Sequence, residues 1–255
     1  MNQSCLPRAL TVLACLSATF LSASGAHGAA TVLIWPIDPF LTADKKATEL
    51  WIENQGSSAT TMQVRIVRWQ QEGGFERYQS QQDVVASPPI LRVDRGGKQL
   101  IRLIKQANVP QGKELAYRII IDEIPQPTDS TQPQMGLKLQ MRYSIPLFVY
   151  GQGMPVATEG VNHVQVDSRN LSWNATTIDG KPAIEVRNRD LVHVRLSQVS
   201  VRQGGSDREV APGLLGYVLP GESRSWPLPT GVTHPTGISA TINAQDAKWQ
   251  SAAGN

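Results

Sequence analysis

The side chains able to do chemistry are few and poorly spaced for it. His163, His193 and His234 fall in separate segments with no HxxH or HExxH pattern and no carboxylate at ligand spacing, so they read as surface or strand histidines. Asp122 and Glu123 are adjacent carboxylates, but neighbours on a strand point to opposite faces, which removes them as a paired acid and base. Gly73-Gly74, Gly96-Gly97 and Gly204-Gly205 belong to no phosphate-binding fingerprint and fit hairpin turns; no G-x-S-x-G is present. No catalytic residue, metal site or cofactor is therefore expected, and the chain reads as a non-enzyme.

The first 28 residues carry the pattern of an export signal. Arg8 is their only charge, residues 9–21 (ALTVLACLSATFL) form an apolar stretch too short to cross a bilayer comfortably, and Ser24-Gly25-Ala26 or Ala26-His27-Gly28 supplies small residues for cleavage. Both cysteines, Cys5 and Cys15, lie inside this segment. The mature chain is thus expected to lack disulfides, Cys-ligated metal, a thiol nucleophile and any membrane span. Its loss takes one positive charge from a formal +3, and no run of five or six basic residues occurs, so nucleic acid is not an expected partner.

The elements that must carry any site are strands. The chain has 255 residues, 40% hydrophobic and 18% charged, enough to bury a sizeable core or two small ones. Short apolar runs at residues 31–35, 48–53 (TELWIE), 62–69 (MQVRIVRW), 83–86, 99–104 (QLIRLI) and 115–124 (LAYRIIIDEI) are separated by turn signals, with Met62, Val64 and Ile66 sharing one face. The same texture resumes at residues 171–176, 183–187, 192–201, 214–219, Ser225-Trp226 and 238–242, the last strand expected, with a hairpin signal at Asp179-Gly180. Residues 151–155 (GQGMP) read as a hinge. The expectation is an all-β chain: signal peptide 1–28, one sandwich over 29–152 and another over 153–255.

Two segments break the rhythm. Residues 125–134 (PQPTDSTQPQ) have three prolines and no periodicity, the composition of an exposed loop. Residues 135–150 (MGLKLQMRYSIPLFVY) then read as one long strand with Met135, Leu137, Leu139, Met141 and Tyr143 on a single face. Such a row either packs into its own sandwich, the usual fate of apolar alternation, or is offered to a partner.

Several ordered stretches resemble the periplasmic chaperones that assemble pili and fimbriae in the chaperone-usher pathway, most of all their archaic, spore-coat-U-associated branch. They are VLIWP (32–36), LWIEN (50–54), SPP (87–89), QLIRL (99–103), Tyr117-Arg118 with DEIP (122–125), RYSIPLF (142–148) and GYVLPG (216–221). The resemblance implies two immunoglobulin-like sandwiches at an angle with a cleft between them. It implies donor-strand complementation, in which a long strand of the chaperone fills the gap in an incomplete pilin subunit before delivery to an outer-membrane usher. By position, Leu137, Leu139 and Met141 match the donor residues and Tyr143 continues their face, while Ile145 and Phe148 are left as core. Self-association of the free protein stays open.

The chain departs from that family in its charges. The basic pair that holds the subunit's C-terminal carboxylate is not matched: residues 31–37 contain no basic side chain, and Ser144 or Pro146 stands where a lysine is usual. The remaining candidates for this anchor are Arg142, taken first because it adjoins the donor row, then Arg118 and Arg102, each of which could instead pair with Asp122 or Glu123 or point to solvent. Glu114 fits one end of an interdomain ionic link, but Tyr150 occupies the other end, so that link is expected to be absent or replaced by a hydrogen bond. Ser87-Pro88 sits where the family has a cis peptide. A rival class is a secreted carbohydrate-binding or adhesive module with Trp35, Trp69, Trp173 and Trp226 as a stacking platform, although a strand tryptophan is more often core.

Overall fold

The computed structural model describes residues 32–125, 140–156, 164–244 and 248–252. The export signal, residues 126–139 with Leu137 and Leu139, and His163 lie outside them. The described chain is almost entirely strand, with a single 3-10 turn at Ser168–Asn170, and no helix in it is long and apolar enough to cross a membrane.

Ten strands build the first sandwich: β1 (Val32–Trp35), β2 (Phe40–Leu41), β3 (Ala47–Asn54), β4 (Thr60–Glu72), β5 (Phe75–Ser80), β6 (Val84–Ser87), β7 (Ile90–Val93), β8 (Lys98–Lys105), β9 (Glu114–Ile124) and β10 (Arg142–Tyr150). One sheet runs β1-β3-β8-β6; the other runs β2-β10-β9-β4-β5, with β7 also on β4. The second sandwich follows with β11 (Leu171–Ile178), β12 (Lys181–Asn188), β13 (Val194–Gln203), β14 (Ser206–Val218), β15 (Ser223–Pro227), β16 (Gly237–Ile242) and β17 (Lys248–Ala252). Its sheets are β11-β12-β15 and β14-β13-β16-β17.

Alternation decides what each strand buries. Leu50 and Ile52, Met62 and Val64, Ile101 and Leu103, Ile119 and Ile121, and Leu147 and Val149 all face the first core, each burying a side chain that contributes about 1.5–3 kcal/mol. The opposite face of the larger sheet is not simply wet. Trp69, Ala116, Phe148 and Tyr150 project from it into the second sandwich and share one core with Trp173, Ile184, Val194, Val218 and Trp226.

At Asp179 and Gly180, φ values of 49° and 74° form the expected tight hairpin turn. Ser87-Pro88 is cis, as is Trp35-Pro36. Gly73-Gly74 and Gly204-Gly205 close hairpins, whereas Gly96-Gly97 joins β7 to β8, strands of different sheets. Residues 238–242 are not the last strand: β17 follows and pairs Trp249 with Ala240, burying the indole. Sequence periodicity also passes over β2, β5, β7 and the first half of β14. These are very short, or polar and exposed, so no apolar alternation marks them.

Candidate functional site

The site is built around the beginning of β10. Arg142 to Tyr150 pair antiparallel with β9, and only Phe148 and Val149 have a strand on the other side, the two-residue β2. Among the described residues, 142–147 therefore form an open edge. The Glu123 N–H donates to the Met141 carbonyl at 3.1 Å, which turns the odd-numbered residues of β10 toward β9 and the even-numbered ones outward. Pro146 falls in the outward set, where its missing N–H breaks no ladder bond. The backbone N–H groups of Arg142 and Ser144 thus face the open side.

The side-chain row divides along the same strand. Ile145, Leu147 and Val149 are buried in the first core, Tyr143 is half-buried against it, and Met141 is 37% exposed. Ile145 and Phe148 are core, as expected. Tyr143 sits where the row leaves its own sandwich, and Met141 lies beyond that point.

The three candidate cations stand in three different settings. Arg142 is exposed but pairs with Asp122, which also accepts from Arg65 at 2.6 Å across β4, β9 and β10. Partial burial works against the ionised Asp122 carboxyl, but the bonds from Arg65 and Arg142 hold it below the usual carboxylate range. Arg102 is exposed on β8, in the other sheet, opposite Glu49 and Ser87, and is not gathered with the others. Arg118 projects from β9 toward the second sandwich. Its guanidinium carbon lies 3.7 Å from the centre of the Trp69 ring and 5.3 Å from that of Tyr217. Burial lowers its pKa from the ordinary value, with Tyr78 and Tyr217 acting the other way, and its buried Nε has no hydrogen-bond partner among the described residues.

Beside Arg118 the two sandwiches are locked together. The Gln71 amide donates to the Tyr217 carbonyl at 2.8 Å and accepts from the Leu219 N–H at 2.9 Å. Glu76 of β5 pairs with Arg224 of β15. Glu114, its side chain fully buried, accepts from the His193 backbone N–H at 3.1 Å and meets His193 Nδ1 at 2.9 Å. His193 is therefore neither a surface nor a strand residue: it lies in the connection before β13, 5% exposed, stacked on Phe148 with ring centres 3.4 Å apart. Of the two outcomes expected for the interdomain ionic link, absence or replacement by a hydrogen bond, the second is found, with His193 supplying the partner that Tyr150 does not.

Sequence reading missed Gln71, Glu76, Tyr78, His193 and Arg195 as parts of this region. Arg195 approaches Tyr217, where burial pushes the phenol upward while Arg195 and Arg118 pull it down. Only Trp69 gave a signal, as an apolar residue out of phase with Met62, Val64 and Ile66. The proposed tryptophan platform is not a surface, because Trp69, Trp173 and Trp226 are buried. Among the described residues no group of three or more His, Cys, Asp or Glu gathers as a metal site would require.

Comparison with known proteins gives a consistent pattern. Residues 39–155 match the family model of the pili and flagellar-assembly chaperone PapD N-terminal domain. A chain of the CsuC–CsuE chaperone–tip adhesion subunit pre-assembly complex, from the archaic chaperone-usher Csu pili of Acinetobacter baumannii, is 29% identical; the match covers 87% of this chain and 97% of that one with a TM-score of 0.67. The Salmonella enterica SafA pilin–SafB chaperone complex, 16% identical with 89% and 98% covered and a TM-score of 0.63, shares the fold. So does the YadV chaperone, 17% identical with 86% and 97% covered and a TM-score of 0.59. No curated protein matches the sequence.

Proposed function

We propose, from the match of residues 39–155 to the family model of the pili and flagellar-assembly chaperone PapD N-terminal domain, that the chain is an ATP-independent periplasmic chaperone that holds pilin subunits by donor-strand complementation and passes them to an outer-membrane usher. The observation that carries this reading is the side of β10 left open among the described residues, where backbone groups without a strand partner adjoin an exposed Met141. An edge of this kind invites another strand, and pairing with it supplies affinity that does not depend on the partner's sequence. Leu137, Leu139 and Met141 are the donor side chains, each worth about 1.5–3 kcal/mol on entering a subunit groove before ordering costs. The CsuC–CsuE complex, a chaperone with its tip adhesion subunit, supports this class of partner.

Arg118 is the anchor for the subunit's terminal carboxylate, in preference to Arg142. Asp122 already compensates Arg142, whereas among the described residues no carboxylate forms an ion pair with Arg118, which is held on the Trp69 face. Coexpression with a pilin subunit from the same organism tests the assignment. Paired charge substitutions, Leu139→Asp with Met141→Asp, should abolish recovery of the subunit with the chaperone, and undiminished recovery rejects the donor role.

A further inference from the structure

Arg118 does not stand alone at the joint. Tyr78, half exposed on β5, donates its hydroxyl proton to Glu76, and Glu76 is held on its other side by Arg224 of the second sandwich. A phenol that donates to a carboxylate keeps its oxygen free to accept, and the Tyr78 oxygen lies beside the Arg118 guanidinium, where it favours the charged form. Trp69 pairs with Tyr78 across β4 and β5, so the ring that carries the cation and the hydroxyl that orients it are register neighbours. Glu76 and Arg224 are each only 21% exposed, so their pair resists screening better than a surface pair.

We propose that Tyr78 and Glu76 are positioning residues for subunit capture: the relay from Arg224 through Glu76 and Tyr78 fixes which N–H groups Arg118 turns toward an incoming carboxylate. This rests on the assignment of Arg118 as anchor. It makes capture depend on how the two sandwiches meet, since the relay begins on one and ends on the other. A guanidinium lying flat on an indole can slide in the plane of its face, and a hydrogen bond at one edge is what stops it.

The test uses the full-length exported chaperone and a coexpressed pilin subunit in two forms, one with its native C-terminus and one extended by Gly-Gly so that the carboxylate is displaced. Tyr78→Phe keeps the ring and Glu76→Gln keeps the shape. Each should weaken binding of the native-ended subunit about tenfold, the size of one hydrogen bond to a charged group. Each should leave binding of the extended subunit and the thermal midpoint of Tyr78→Phe unchanged. If Arg118→Ala weakens native-ended binding while Tyr78→Phe and Glu76→Gln do not, the relay is overturned and the anchor stands. If both subunit forms weaken alike in Tyr78→Phe, the residue is merely structural and the inference fails. If Arg118→Ala itself changes nothing, the anchor assignment falls, and the relay with it.

Discussion

Asp122 shows how a single carboxylate orders the start of β10 from within its own sheet. It ties Arg142 at the start of β10 to Arg65 on β4. Its pKa in the folded chain lies below that of a free aspartate, so the unfolded chain takes up its proton first as pH falls. The stabilisation is complete above about pH 4 and is lost as pH drops through the folded value. Asp122→Asn should remove that part of the acid dependence, flattening the thermal-midpoint profile below about pH 4 while leaving its shape near neutral pH unchanged; a profile as steep as wild type below about pH 4 contradicts the assignment. The sequence put Arg142 ahead of Arg118 and Arg102 only because it adjoins the apolar row, since all three are strand arginines near apolar neighbours. What separates them, a paired carboxylate, an aromatic bed and the opposite sheet, is set by contacts distant along the chain.

At the scale of elements, two edge strands are treated differently. β14 is the long outer strand of its sheet, and it carries Asp207, Arg208, Glu209 and Pro212, with pairing on β13 interrupted by a bulge around Gln198. Charge, proline and bulge all discourage another strand from adding there. The start of β10 has Arg142 but no comparable barrier, since Pro146 deletes only one outward donor. Ser144→Pro should remove a second outward N–H while leaving the ladder to β9 intact. Subunit recovery should fall about tenfold or more with little change in the chaperone's own thermal midpoint, as measured by copurification and calorimetry. Full recovery would place the subunit elsewhere. Of the strand expected over residues 135–150, the part from Arg142 to Tyr150 is present, residues 140–141 precede it without pairing as strand, and 135–139 lie outside the described residues; the Asp179-Gly180 hairpin and most core strands were legible. β5 was not, because FERYQS has only two aromatic side chains, Phe75 and Tyr78, both exposed, and no alternation, although it carries Glu76 and Tyr78.

Across the whole molecule, the two sandwiches act as one body because the face of the first is partly the core of the second. Trp69 and Phe148 pack with Tyr217, and Gln71 and Glu114 satisfy backbone groups of the other domain. The two-sandwich plan could be read from strand spacing; of the joint only Glu114 could, through the family resemblance, because its partner His193, 79 positions away, has no local signature. Glu114→Ala should cost about 2 kcal/mol by leaving the His193 N–H buried without an acceptor. It should also broaden the distribution of interdomain distances in solution scattering; an unchanged melting curve and scattering profile would show that the link is dispensable. The central claim, that a subunit strand completes the open side of β10, is tested most directly by amide hydrogen exchange at Arg142 and Ser144 in the free chaperone and in its subunit complex. Both amides should exchange rapidly when free and become strongly protected on binding, with the amides of Tyr143 and Ile145 slow in both states. Rapid exchange at Arg142 and Ser144 in a stable complex would contradict the account.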